Sequence, residues 1–136
     1  MIRPRNRRLL KTIMIVLGLY AMVWISLEGR LWQSIVLATG LVGSGTYLVR
    51  KRYFANRQYS LGARIAITGV LGMIDGFLIG LMTLILMVIK TGLHSHGPEF
   101  QQSEFIWVSD QILPWSFAGL LAGIGISLLV IGTRKN

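Results

Sequence analysis

Apolar residues gather into four runs, 9–27, 31–49, 65–89 and 113–131, and most polar and charged residues fall between them. At 1.5 Å rise per residue each run is about long enough to cross a hydrocarbon layer of roughly 30 Å. The pattern predicts an all-α membrane protein with four transmembrane helices in a compact antiparallel bundle. These spans use up most of residues 1–136, so a single integral membrane domain is expected, with no second core.

The connectors refine this outline. Glu28, Gly29 and Arg30 form so short a link that helices one and two must make a hairpin, with Trp24 and Trp32 near one interface. The link from Thr91 to Gln111 has two histidines and three carboxylates but neither lysine nor arginine. Within it, Gly97-Pro98-Glu99 has the form of a helix start, with proline at the first helical position and an acid in the first turn. Phe100, Phe105, Ile106 and Trp107 then predict a short interfacial helix in this outer connector, before Pro114 and Trp115 open helix four.

Charge orients the outline. The leading segment holds Arg3, Arg5, Arg7, Arg8 and Lys11, the middle connector Arg50, Lys51, Arg52, Arg57 and Arg64, and the tail Arg134 and Lys135. Only Arg30 and Lys90, two of the 14 basic residues, fall on the opposite side. Basic loops stay in the cytoplasm, so both termini and the middle connector are expected inside a cytoplasmic membrane of prokaryotic type. The first apolar run exceeds the 7–15 residues of a signal peptide and no small-x-small cleavage pattern follows, so it reads as a retained helix.

A net charge of +9 would also suit a nucleic-acid binder. Here, however, the cations flank apolar spans, and no zinc-finger, helix-turn-helix or RNA-binding signature accompanies them, so no nucleic-acid partner is expected. Tyr53, Phe54 and Tyr59 among the middle cations fit a loop lying on anionic headgroups. With no cysteine in the chain, disulfides, thiolate nucleophiles and thiolate metal sites are excluded.

Small residues supply the next pattern. Helix two carries Gly40, Gly43 and Gly45, helix three Gly72, Gly76 and Gly80 at strict four-residue spacing, and helix four Gly119, Gly123 and Gly125. Lipid tails are as apolar as leucine, so helices in a bilayer associate by close packing, and such stripes are expected to face one another. Gly72, Gly76, Gly80, Gly119 and Gly123 are the packing positions chosen on this ground.

Asp75 is the one acid inside an expected span, two residues or about 3 Å from its midpoint. A carboxylate at that depth costs roughly 2.5–3.5 kcal/mol even on the lenient insertion scale, so it should face the bundle or a hydrated cavity. No cation lies at matching depth on any span. A protonated Asp75 hydrogen-bonded to Tyr20, Thr39, Ser44 or Ser127 is the simplest state, an inter-helix clasp, while a proton or cation relay is the sharper reading. His94, His96 and Glu99 offer a weak divalent-metal cluster, but the ligand set is incomplete and matches no recognised motif, so a hydrated turn is the simpler account.

Phosphate-binding glycine loops, nucleophile elbows and supported catalytic serines are missing from the sequence, and neither an enzyme nor a cofactor is expected. Size and helix count resemble those of small multidrug-resistance transporters. The first helix nevertheless lacks a glutamate and the only buried acid is on the third, so no residue role follows from that likeness. Two functions remain: a structural, accessory or assembly subunit packing against a larger membrane complex or its own copies, and a small oligomeric proton-coupled transporter or channel using Asp75.

Overall fold

The structure, a computed structural model, describes residues 4–26, 30–54, 59–93 and 99–132. Among them the chain is all-helical, with no strand: α1 (Pro4–Ser26), α2 (Leu31–Tyr53), α3 (Leu61–Leu93) and α4 (Gln102–Gly132). Two stretches, Leu61–Leu93 and Gln102–Val130, are long and apolar enough to cross a membrane, by length and composition. The apolar part of α1, Lys11–Ser26, is shorter, and α2 is diluted by Gln33, Ser34, Thr39, Ser44 and Thr46.

Local chemistry explains where the helices start. Ser60 caps α3, its hydroxyl accepting from Ala63 N–H at 3.4 Å and its carbonyl from Arg64 N–H at 3.0 Å. Gln101 and Glu104 do the same for α4: the Glu104 carboxylate accepts from Gln101 N–H at 2.8 Å, and the Gln101 carbonyl accepts from Glu104 N–H at 3.0 Å. The expected start at Gly97-Pro98-Glu99 is therefore displaced. Gly97 and Pro98 lie outside the described residues, and Glu99 sits in a bend before the helix.

The separate interfacial helix expected in this connector is corrected too. Phe105, Ile106 and Trp107 belong to the opening turns of α4, which runs unbroken past Pro114 to Gly132. Proline removes the donor that would serve the Asp110 carbonyl, and a kink or break is the usual result. A continuous helix survives because α3 is packed against it.

The centre of the fold is the antiparallel pair α3–α4. A Cβ placed on Gly72 would strike the Gly119 carbonyl, one on Gly76 the Trp115 carbonyl, one on Gly119 the Gly72 carbonyl, and one on Gly123 the Thr68 carbonyl. On Gly80 it would lie 2.7 Å from Ile112 Cγ1. Only hydrogen-sized side chains permit so close an approach, and the reward is close backbone packing along the seam. Elsewhere the glycines are looser: Gly40 meets only the flexible Leu17 side chain, and Gly43, Gly45 and Gly125 face open space.

Outside that pair the order of packing follows the chain: α2 lies on α3 and α1 on α2. Trp24, Leu37, Ala38 and Leu86 form a core across α1, α2 and α3, and Met87, Phe100 and Val108 form another between α3 and the start of α4. Much of the remaining apolar surface is exposed, including Met22, Leu121 and Leu129 at about 70%. The arrangement is more open than the expected compact bundle because the small residues of α2 do not bring α4 into its close contacts.

The glycine seam also sets a stagger that hydropathy alone does not show. Gly123 packs at Thr68 and Gly80 at Ile112, so the middle of the apolar run 113–131 lies beside residue 69, about 12 Å from residue 77 at the middle of the run 65–89. As a result the polar opening of α4, through Ser109 and Asp110, lies alongside the apolar Leu81–Ile89 stretch of α3.

Candidate functional site

Three helix faces of the same period build a groove. Gly43, Thr46, Tyr47 and Arg50 on α2, Gly72, Asp75, Gly76 and Ile79 on α3, and Trp115, Ala118, Gly119, Ala122, Gly123 and Ile126 on α4 line one concavity of about 530 Å³. Each set follows the i, i+3, i+4, i+7 spacing of a single helical face. The tight α3–α4 contact forms the floor, and the absence of bulk at Gly43, Ala118 and Ala122 keeps the groove open.

Asp75 stands on its wall, half-buried. Its Oδ1 accepts a short hydrogen bond from the Thr46 hydroxyl, linking α3 to α2. Thr46 is thus the partner, and the four candidates drawn from the sequence lie elsewhere. The Tyr20 hydroxyl donates to the Gln33 carbonyl at 3.3 Å, and the exposed Thr39 hydroxyl donates to Ile35 of its own helix at 2.8 Å. Ser44 is two positions from Thr46 and so points about 200° around α2. Ser127 is four residues beyond Gly123, which places it roughly 16 Å along the bundle from Asp75.

Arg50 is the second feature missed. The apolar run of α2 is expected to end at residue 49, but the helix continues to Tyr53 and carries Arg50 onto the groove, about one turn from the level of Thr46 and Asp75. Its Nε is buried without a hydrogen-bond partner among the described residues. Of the neighbouring cations, Lys51 lies over the ring of the groove residue Tyr47 at 5.6 Å and Arg52 over the Tyr53 ring at 5.7 Å. One arginine and one carboxylate therefore share the groove with the hydroxyls of Thr46 and Tyr47, and the rest of its lining is apolar.

A separate polar cluster closes the opposite end. Lys90 is fully buried, and its ammonium donates to the Trp24 carbonyl at 2.6 Å, lies 3.3 Å from Glu99 Oε2 and sits 4.9 Å from the Trp24 ring centroid. Three chain segments, the end of α1, the end of α3 and the approach to α4, meet on one charge. Glu99, a weak metal candidate by sequence, is thus engaged by a cation. His94 and His96 lie outside the described residues, among which no three His, Asp or Glu side chains come together.

The chain matches no protein-family model, no curated protein and no solved structure.

Proposed function

We propose that the chain is a four-span integral membrane protein with both termini in the cytoplasm, acting as an accessory or assembly subunit that packs against a larger membrane partner or further copies of itself. The observation that carries this reading is the exposed polar face at the start of α4. Ser109 and Asp110 are exposed, about level with Met82 on α3, where Leu81, Ile85, Val88 and Ile89 are exposed and apolar. Lipid suits the α3 side, but Asp110 on the α4 side, about 6 Å from the middle of the α3 run and about 18 Å from the middle of the α4 run, would then face the hydrocarbon that α3 requires, where an acid is costly. A protein surface bearing polar groups relieves that mismatch.

Site-specific photo-cross-linking tests it. A photoreactive residue at Asp110 is expected to yield protein adducts in native membranes, and the same residue at Val88 lipid adducts. Lipid adducts alone at both positions would remove the case for a partner on this face.

Orientation has its own test. With no native cysteine to interfere, Ser60→Cys should react with an impermeant maleimide only from the cytoplasmic side and Ser103→Cys only from outside. Both serines are exposed. The reverse pattern would overturn the orientation.

The second reading, a proton-coupled carrier or channel, is favoured by the position of Asp75 on the groove wall. A working relay needs a group that takes up and releases protons, so Asp75→Asn should abolish proton or cation flux in reconstituted vesicles. A structural clasp requires only a hydrogen-bond acceptor for Thr46, which asparagine provides, so folding should change little while Asp75→Leu weakens it. Flux no greater than in empty vesicles for the native chain would eliminate the carrier.

A further inference from the structure

We propose that the groove is a binding site for one anionic phospholipid of the inner leaflet, its phosphate held at Arg50 and an acyl chain laid along Gly43, Ala118 and Ala122. The inference rests on the membrane placement proposed above and adds an occupant to the groove.

The groove offers a space of about 530 Å³. The same volume lies within the 300–1,000 Å³ range of small-molecule sites. A hydrocarbon chain is thinner than a helix and fits a trough floored by glycine and alanine. Gly43 is the clearest sign of that trough, since a Cβ there would meet nothing within 4 Å.

Charge sets the headgroup class. Arg50 is in the last turn of α2, at the basic end of the molecule; it lines the groove, and its Nε makes no hydrogen bond among the described residues. Guanidinium binds phosphate through paired, charge-assisted hydrogen bonds, and basic pockets between helices on the cytoplasmic side suit anionic headgroups. Lys51 stands beside the groove over the Tyr47 ring and Arg52 lies over the Tyr53 ring, while Arg50 is the cation that lines the groove itself. Thr46 and Asp75 lie about one turn deeper, satisfied through each other and level with Trp115, and the apolar Ile79 lies a further turn in, so polarity falls with depth as it does along a lipid.

Trp115 provides the readout. The chain is reconstituted in phosphatidylcholine vesicles containing a minor fraction of phosphatidylglycerol, with bromine on the acyl chains of one lipid or the other. Subtracting the signal of Trp115→Phe isolates the fluorescence of Trp115. Brominated phosphatidylglycerol is expected to quench that component several-fold more than brominated phosphatidylcholine at equal content. Arg50→Gln should abolish the preference by removing the anion contact, and Gly43→Leu should do so by filling the trough without disturbing Arg50. Excess inorganic phosphate should leave the quenching unchanged. Equal quenching by the two lipids, a preference that survives Arg50→Gln, or relief by inorganic phosphate would each overturn the lipid site, the last identifying a free-anion site instead. A chain that fails to float with the vesicles would overturn the membrane placement and the lipid site with it, whereas a floating chain with equal quenching overturns the lipid site alone.

Discussion

Glu99→Gln is expected to lower the stability of the folded chain by about 3–5 kcal/mol, the usual result of stranding a buried charge by removing its partner. Lys90 has no exposed surface, and the Glu99 side chain is only 15% exposed. The Trp24 carbonyl and ring stay in place in the variant, but neither neutralises an ammonium, and a glutamine oxygen is a weaker acceptor than a carboxylate. Replacing both members, as Lys90→Met with Glu99→Leu, removes the stranded charge and should recover much of the loss, since apolar substitutes for buried ion pairs are often neutral or stabilising. Thermal unfolding in detergent, run on the native chain, Glu99→Gln and the double variant, gives the comparison. A Glu99→Gln melting curve superimposed on the native one would show that the cluster contributes nothing to stability.

Gly76→Leu should be at least as damaging, by about 3 kcal/mol or more, at the upper end of what overpacking produces. The collision is with the Trp115 carbonyl and the Ser116 Cα, which are backbone atoms and do not swing aside as a side chain does. The two helices must separate, and the neighbouring contacts at Gly72, Gly119 and Gly123 separate with them. Gly92 is the control. Nothing lies within 4 Å of a Cβ placed there, so Gly92→Leu should be neutral or gain up to about 1 kcal/mol from better helix propensity. Denaturation midpoints for the pair settle the matter, and equal tolerance at the two positions would mean the seam does not hold α3 to α4.

Much of this fold is written in the apolar periodicity and in the spacing of small residues. Four helices follow from the runs, and the four-residue spacing of Gly72, Gly76 and Gly80 marks a face on which backbone approach is possible. The pairing of that face with Gly119 and Gly123 is a tertiary fact. It overrides the hydropathy of each helix taken singly and produces the 12 Å stagger between their apolar runs. Pro114 misled for a similar reason: its local tendency to end a helix is outweighed by packing on both sides of it.

The groove was partly legible. Gly43, Thr46, Tyr47 and Arg50 share one face by spacing alone, but cutting α2 where its hydropathy falls removed Arg50 from view. Thr46 is the nearest hydroxyl to Asp75 only once the register of α2 on α3 is known, and no local pattern gives it. Lys90 was equally hidden. A lysine near the end of an apolar run normally reaches for water, and its burial depends on a carbonyl 66 positions away in the chain.

The attachment of α1 bears on how the molecule is made. A chain leaves the ribosome N-terminus first, so α1 and α2 emerge well before α3 and α4 exist. Yet the firmest seam joins the last two helices, and the donor that satisfies the Trp24 carbonyl arrives only when Lys90 does. During synthesis the first hairpin must wait with that oxygen unserved by Lys90 and the Trp24 ring packed only on Leu37 and Ala38 of α2. Strength of association therefore increases in the direction of translation. Truncation after Tyr53 should leave a hairpin that inserts but is readily degraded, and supplying residues 59–136 as a separate polypeptide should rescue it.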